Sequence, residues 1–339
     1  MNFKFTFLLV SLLTIFTNAQ NIKFISEKDQ LPLTKVSVFS QSGNLIGFSD
    51  IDGNIPKDII KKEDEDFKLV HDNMVIATLS YSELQKDIIS LKDRVKDIEA
   101  VVVNSNKAAK YILLRGYFNT YLTVNDKLNC YADGIITFVF DNKTQKYKSS
   151  NVEEYRVYRL DNPKEEKKQT NTWDFNQTLN LPDVRKLGNI EEYYANKNGV
   201  NVKELKKQNS TEIEVSGENL QSKEMALLGY RFFDFRSILN ISFEKDSPKK
   251  IKNFLEYNEL NYLKIKHKSE QDYNQLINYT NFYPIEISFS DENNIKKVPF
   301  SKRASHYKTE FWKAEGFPNM QEVFGDFFKG QLKEAENKK

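Results

Sequence analysis

Two aspartates, Asp50 and Asp52, stand directly before Gly53 and have the spacing of oxygen ligands in a calcium-binding loop. Such a loop continues with further oxygen ligands and ends on a bidentate glutamate. Here Gly53 is followed by the sequence NIPK, and the residues on either side are typical of strands. Asp52 and Gly53 therefore predict a turn, with glycine at positive φ, and no metal site is expected.

Histidine chemistry has little support in this sequence. Only His71, His267 and His306 are present, and none lies three or four residues from another histidine, the spacing that places two metal ligands on one helix face. The sequence also has no HExxH motif, no pair of cysteines, no glycine-rich phosphate loop and no G-x-S-x-G motif. These absences disfavour a zinc peptidase and a serine hydrolase of the α/β type.

Neighbouring carboxylates could serve a glycosidase, whose two acids stand about 5 to 10 Å apart. The candidates are Asp64–Asp66 and the pair Glu153 and Glu154. Both lie in polar surroundings, whereas a general acid needs an apolar setting that raises its pKa. A hydrolase of unrecognised type therefore stays as a third hypothesis, and it requires a cleft in which acids meet His267 or His306.

Aromatic residues give the one positive indication of binding. The chain has 25 phenylalanines and 17 tyrosines, and several cluster at 230–235 and 279–283. Such runs could line a groove for a glycan or an acyl chain. The favoured interpretation is that they form the core of a large antiparallel sheet. Cys130, the only cysteine, is expected to be a small buried apolar residue without a disulfide.

The first 19 residues have the layout of a cleavable signal peptide, with Lys4 before an apolar run and Ala19 at its end. We therefore expect an exported protein, periplasmic or secreted, with association with the outer membrane left open. No second apolar run reaches the length of about 20 residues that a transmembrane helix needs. The net charge of +2 argues against a nucleic-acid partner.

Residues 20–104 predict a small antiparallel β-sandwich. Six or seven short runs of alternating or apolar residues are separated by turn signals, for example KVSVF at 35–39 and MVIATL at 74–79. A polar connector at 104–107 marks the end of this domain.

Residues 105–330 predict a larger α+β domain with a mainly antiparallel, possibly curved sheet and a few helices. Strands are expected at 135–140, 155–160, 238–243, 262–265 and 285–290, and a turn at Asp133 and Gly134. Helical spacing of apolar residues predicts one or two short helices within 182–208 and an amphipathic helix at 317–328. Residues 331–339 are a polar tail.

A family resemblance rests on several segments of the first domain. They are Leu31–Val38, Gly43–Gly47, Ser49–Gly53 and Ile98–Val103. Together they resemble the carboxypeptidase regulatory-like domain, a transthyretin-like β-sandwich found at the start of Bacteroidetes envelope proteins. The resemblance implies an accessory domain without catalytic residues, whose acid-rich turn is structural. The sequence departs from the family pattern at Asn54–Pro56, where a short strand is expected.

A second resemblance concerns the larger domain. Residues 111–140 and 285–289 are similar to uncharacterised Bacteroidetes proteins that carry the same sandwich, some with curved sheets similar to lipoprotein-carrier half-barrels.

The sequence thus favours a non-catalytic, exported component of the cell envelope that acts as a binding or assembly module. Its partner would be an envelope protein, a glycan or a lipid, and no cofactor, metal or catalytic residue is assigned. The first alternative is a carrier of a hydrophobic ligand held by the second domain, and the second is the hydrolase.

Overall fold

A computed structural model describes residues 21–62, 66–92, 102–103, 109–161, 175–195, 200–217, 223–293 and 298–338. The predicted signal peptide, Asp64 and Glu65, and the connector at 104–107 lie outside these residues. The described chain is mainly β with mostly antiparallel pairing, which confirms the predicted fold class. It forms two compact units, one within residues 21–92 and the other consisting mainly of the residues from 102 onward.

The first unit consists of two small sheets with one shared apolar cluster. Their orders are β4-β1-β7 and β3-β2-β5-β6, and β1 pairs antiparallel with β4 but parallel with β7. The cluster takes Phe24 from one sheet and Val38, Phe67 and Leu69 from the other, because alternate residues of each strand face inward. The strands are β1 Asn21–Ser26, β2 Ser37–Ser40, β3 Leu45–Phe48, β4 Asn54–Pro56, β5 Asp66–His71, β6 Met74–Ser80 and β7 Ile88–Leu91.

The turn that carries Asp50 and Asp52 is held by the first of these two carboxylates. Asp50 Oδ1 accepts hydrogen bonds from the backbone N–H groups of Asp52 at 3.0 Å and Asn54 at 2.8 Å. Gly53 has a φ of +77°, which glycine adopts without strain. The predicted turn is confirmed, and β4 after it is the short strand expected at this point.

The second unit is built on one large sheet, for which the described residues give eleven strands. The main order is β12-β13-β15-β16-β17-β9-β10-β11-β18, with β14 beside β15 and β8 beside β17. The elements are β8 Val102–Val103, β9 Tyr111–Val124, β10 Lys127–Asp141, β11 Tyr147–Leu160, α1 Ile190–Tyr194, β12 Asn201–Lys206, β13 Ser210–Gly217, β14 Met225–Leu227, β15 Tyr230–Glu244, β16 Phe254–His267, β17 Asn274–Ser290, α2 Met320–Phe328 and β18 Leu332–Glu334.

One face of this sheet, here called the Phe282 face, carries most of the apolar core. Phe118, Phe138, Ile241 and Phe282 lie there because they alternate with residues of the opposite face. The segment 175–194 packs onto the same cluster through apolar residues at short spacing. They are Phe175, Leu179, Val184, Leu187 and Ile190.

The opposite face, here called the Asp133 face, carries a row of buried polar side chains across seven neighbouring strands. Each member is the cross-strand partner of the next, in the order Glu214, Asn240, Asn258, Asn281, Asn119, Asp133 and Arg156. Asn258 Nδ2 donates to Asn281 Oδ1 at 2.5 Å, and Asn281 Nδ2 donates to Asn119 Oδ1 at 2.9 Å. Such partners are what buried amides need to offset their lost hydration.

Beside the polar row, four tyrosines pair across four strands of the Asp133 face. They are Tyr279, Tyr121, Tyr131 and Tyr158. Helix α2 packs on them, since the ring of Phe324 lies 5.1 Å from that of Tyr121 and 5.7 Å from that of Tyr131. The amphipathic helix predicted at the end of the chain is therefore confirmed, together with its expected docking onto the protein's own sheet.

One local prediction is wrong, and three other segments take structures that the sequence did not indicate. Asp133 and Gly134 are not a turn but the middle of β10, and residues 201–206 form a strand, whereas 184–194 are helical as predicted. Val102 and Val103, expected to close the first domain, pair with β17 of the large sheet. Residues 332–334 of the predicted polar tail form β18 at an edge of that sheet.

None of the helices in the described part of the chain has the length and apolar character needed to cross a membrane.

Candidate ligand cavity

A cavity of about 530 Å³ lies on the Phe282 face of the large sheet. Strands β10, β11 and β16 form one side, and the segment 180–185 forms the other. Its lining residues are Phe138, Tyr147, Ser150, Asn180, Leu181, Pro182, Asp183, Val184, Arg185, Glu259 and Asn261. The volume falls within the usual range for small-molecule sites, about 300–1,000 Å³.

The segment along the cavity is fixed to the sheet at both of its 3₁₀ turns. The turn Phe175–Thr178 is held by Asn278, whose Nδ2 donates to the Thr178 carbonyl oxygen at 2.6 Å. The turn Val184–Asn189 buries Val184 and Leu187 in the apolar cluster. The wall of the cavity is thus anchored by a half-buried hydrogen bond and by apolar packing, which makes it a preformed part of the fold.

Glu259 places a buried carboxylate at the cavity, where its side chain is 4% exposed. Tyr257, two residues earlier on the same face of β16, donates its hydroxyl to Glu259 Oε2 at 2.6 Å, and Ser237 Oγ lies 3.5 Å from Oε1. Burial raises the pKa of Tyr257 well above its ordinary value, and the charge of Glu259 adds to this shift. The phenol therefore keeps its proton and acts as a fixed donor to the carboxylate.

An ion pair between Asp183 and Arg185 stands at the exposed part of the lining. Arg185 Nε donates to Asp183 Oδ1 and Nη2 to Oδ2, both at 2.6 Å, and the two side chains are 67% and 30% exposed. The Arg185 backbone N–H also donates to Asp183 Oδ1, at 3.3 Å. Two parallel hydrogen bonds fix the guanidinium plane relative to the carboxylate.

The lining combines two aromatic rings, from Phe138 and Tyr147, with planar polar groups. Carboxylates of Asp183 and Glu259 and amides of Asn180 and Asn261 supply most of the polar atoms. This set suits a ligand with several hydroxyl groups and one apolar face. The lining has no histidine or cysteine that could act as a nucleophile or a general base.

A second cavity, of about 800 Å³, brings His306 near Glu153 and Glu154. Arg115 Nε donates to both carboxylate oxygens of Glu153, at 3.1 and 3.0 Å, and the Thr137 hydroxyl donates to Oε1 at 2.6 Å. Glu154 Oε1 accepts the backbone N–H of Lys308 at 2.7 Å. Both carboxylates are thus engaged by donors of the protein itself, as structural carboxylates are.

The other residues singled out in the sequence have local partners. His306 Nδ1 lies 2.8 Å from the Lys338 carbonyl oxygen, and His267 Nδ1 lies 2.8 Å from Ser269 Oγ in the turn after β16. Cys130 is buried in the apolar cluster of the Phe282 face, as predicted. In the described part of the chain, no group of three or more His, Cys, Asp or Glu side chains is placed to hold a metal ion.

Comparison with known proteins gives little. No family model matches the sequence, and no curated protein matches it. One solved structure, described as lipid–protein interactions in lipovitellin, is similar over 57% of this chain and 27% of its own, with 10% sequence identity and a TM-score of 0.28. A likeness at that level carries no fold or function over to this chain, and the cavity must be interpreted from its own residues.

Sequence reasoning missed the cavity residues although one signal was present. Tyr257, Glu259 and Asn261 alternate along β16 in phase with Leu263 and Ile265, which face the apolar core. Polar residues at core-facing positions of a strand need buried partners, so this phase indicates a polar site inside the core. Asp183 and Arg185 gave no such signal, because their place beside β16 depends on how the segment 175–194 packs.

Proposed function

We propose that the protein is an exported, non-catalytic binding protein of the cell envelope and that its second unit binds a glycan in the cavity on the Phe282 face. The observation that carries the proposal is the preformed cavity, with the Glu259 carboxylate inside it and aromatic rings beside it. The signal-peptide pattern at residues 1–19 supports export.

The choice of a glycan rests on the polar character of the lining. Sugar hydroxyls donate to carboxylates and amide oxygens, and the C–H face of a pyranose packs on an aromatic ring such as Tyr147. An acyl chain would leave the side chains of Asn180, Glu259 and Asn261 buried without hydrogen-bond partners from the ligand, which costs binding energy. The hydrophobic-ligand carrier is therefore the second candidate.

Replacing Glu259 with glutamine tests the proposal. A hydrogen bond to a charged acceptor contributes about 1.5–3 kcal/mol, so affinity for a bound glycan should fall about tenfold to a hundredfold. Glutamine keeps the shape and one acceptor oxygen for the Tyr257 hydroxyl, so the fold should be retained. Binding would be measured by isothermal titration calorimetry against a panel of envelope oligosaccharides and peptidoglycan fragments.

A matched control is available on the same strand. Glu256→Gln makes the same chemical change, but Glu256 pairs with Ser242 on the opposite face and is not part of the cavity lining. Its affinity should equal that of the parent protein. Equal losses for both variants would contradict a site at Glu259, and copurification of a lipid with no glycan bound would favour the carrier instead.

A further inference from the structure

The hairpin formed by β14 and β15 exposes an unusual amount of apolar surface. Its exposed large apolar side chains are Met225 at 42%, Leu227 at 63%, Leu228 at 87% and Phe233 at 37%. The rest of the described chain has only two others, Ile88 and Tyr194. Four exposed large apolar side chains on one hairpin mark an interaction surface, whereas scattered single residues do not.

The tip of the hairpin holds an apolar residue where a turn residue would be favoured. Leu228 and Gly229 connect the paired residues Leu227 and Tyr230, and both have positive φ, +51° and +84°. A two-residue turn of this type favours asparagine followed by glycine, and a leucine there is strained. The hairpin is nevertheless well fixed, because the Lys268 N–H donates to the Gly229 carbonyl oxygen at 2.8 Å. Leu228 therefore neither favours the turn conformation nor packs in the core.

The apolar tip has cations beside it. Residues 223–236 and 264–273 together contain six lysines and arginines but only four acidic residues. Two of the acids are already paired, Glu224 with Arg231 at 3.2 Å and Asp234 with Lys264 at 3.0 Å. Lys266 lies over the ring of Tyr273, 4.6 Å from its centroid. The remaining acids are Glu270, which accepts the His267 N–H at 2.7 Å, and Asp272.

From these observations we propose that the β14–β15 hairpin docks on a lipid bilayer that contains anionic headgroups. In this arrangement Leu227 and Leu228 at the tip enter the boundary between the lipid headgroups and the acyl chains. Phe233 and Tyr273 lie at the depth of the headgroups, and Lys266 and Lys268 contact the lipid phosphates. This is the depth order that interfacial proteins follow. The positive charge beside the tip complements an anionic surface. In a dimer formed through the same hairpin, like charges would meet, so an anionic bilayer is the favoured partner.

Vesicle sedimentation of the mature protein tests the proposal, with vesicles of phosphatidylcholine alone or mixed with phosphatidylglycerol. The parent protein is expected to bind the mixed vesicles. The double variant Leu227→Ser, Leu228→Asn should lower the partition coefficient about tenfold or more, since two leucines lose their burial. Lys266→Gln and Lys268→Gln should each lower it about fivefold on mixed vesicles only.

Two features of these variants separate binding from folding. Asparagine at 228 suits a positive φ, so Leu228→Asn should keep or raise the thermal unfolding temperature. Ile88→Asn removes an apolar side chain of comparable exposure, 58%, from the first unit and should leave vesicle binding unchanged. Absence of parent binding, or unchanged binding by the tip variants, would overturn the proposal. A dimer in solution that Leu228→Asn dissociates, without vesicle binding, would assign the patch to a second copy and overturn it equally.

Discussion

Replacing Arg156 with methionine is expected to lower the free energy of unfolding by about 3–5 kcal/mol, because it leaves the buried Asp133 without its cation. In the native protein Arg156 Nε donates to Asp133 Oδ1 at 2.9 Å and Nη2 to Oδ2 at 2.6 Å. The two side chains are 4% and 0% exposed. The guanidinium also lies 4.3 Å from the ring centroid of Trp312, so a cation–π contact is lost as well.

Urea unfolding monitored by circular dichroism would measure the loss. Arg185→Met removes the cation of the exposed pair with Asp183 and should cost no more than about 1 kcal/mol. The double variant Asp133→Asn, Arg156→Met should recover most of the stability, since it removes both charges and keeps an acceptor for the Tyr131 hydroxyl, which is 2.8 Å from Asp133 Oδ2. Similar losses for Arg156→Met and Arg185→Met would contradict a stabilising role for the buried pair.

The same variant should show a diagnostic pH dependence. Burial raises the pKa of the Asp133 carboxyl, while the hydrogen bonds from Arg156 and Tyr131 oppose the shift. Without Arg156 the pKa in the folded state rises further above the unfolded value of about 3.9. The folded variant then binds the proton more tightly than the unfolded chain, so the contribution of Asp133 to stability is most favourable below the unfolded pKa and is lost as the pH rises through the folded pKa. The deficit relative to the parent should be larger at neutral pH than near pH 4, and a pH-independent deficit would contradict the explanation.

Local patterns of the sequence were sufficient for most elements of the fold. The alternation in residues 285–290 and 238–243 predicted β17 and β15, and the helical spacing of Met320, Val323 and Phe324 predicted α2. These signals are local because the periodicity of apolar residues depends only on which face of its own strand or helix is buried. The turn at Asp50 was also predictable, since a carboxylate accepts from N–H groups two and four residues later in the same turn.

The register between strands could not be predicted in this way. The buried polar row on the Asp133 face takes one residue from each of seven strands, and no single strand shows more than one of its members. A slip of one residue in any strand would turn the row's side chain to the other face. The candidate cavity could not be predicted either, because Glu259 and Asp183 come together only when the segment 175–194 packs on the sheet.

The dipeptide at Asp133 and Gly134 was misread for a related reason. In isolation an aspartate followed by glycine is a strong turn signal. Here Gly134 pairs with Phe118 on β9, and the absence of a side chain leaves room for the Phe118 ring. A glycine inside a strand commonly marks such a close approach. Gly116 is similar, since a β-carbon there would lie 2.6 Å from the Phe282 ring.

Gly134→Ala is therefore expected to lower the free energy of unfolding by about 3 kcal/mol, the upper end of the usual cost of overpacking. A β-carbon at this position would lie 2.3 Å from the Glu154 carbonyl oxygen and 2.8 Å from Phe118 Cε1. The oxygen belongs to the backbone of the neighbouring strand, so the clash cannot be relieved by a side-chain rotation and the pairing of β10 with β11 must shift. Urea unfolding would measure the change.

Gly325→Ala is the matched control and should have the opposite sign. Gly325 lies within α2, and the nearest atom to an added β-carbon is Gln321 Nε2 at 3.7 Å, an ordinary contact. Alanine there should raise the free energy of unfolding by about 1 kcal/mol, because it is the better helix former. If Gly134→Ala left the free energy of unfolding unchanged, or raised it as Gly325→Ala does, the role of Gly134 in admitting the Phe118 ring would be contradicted.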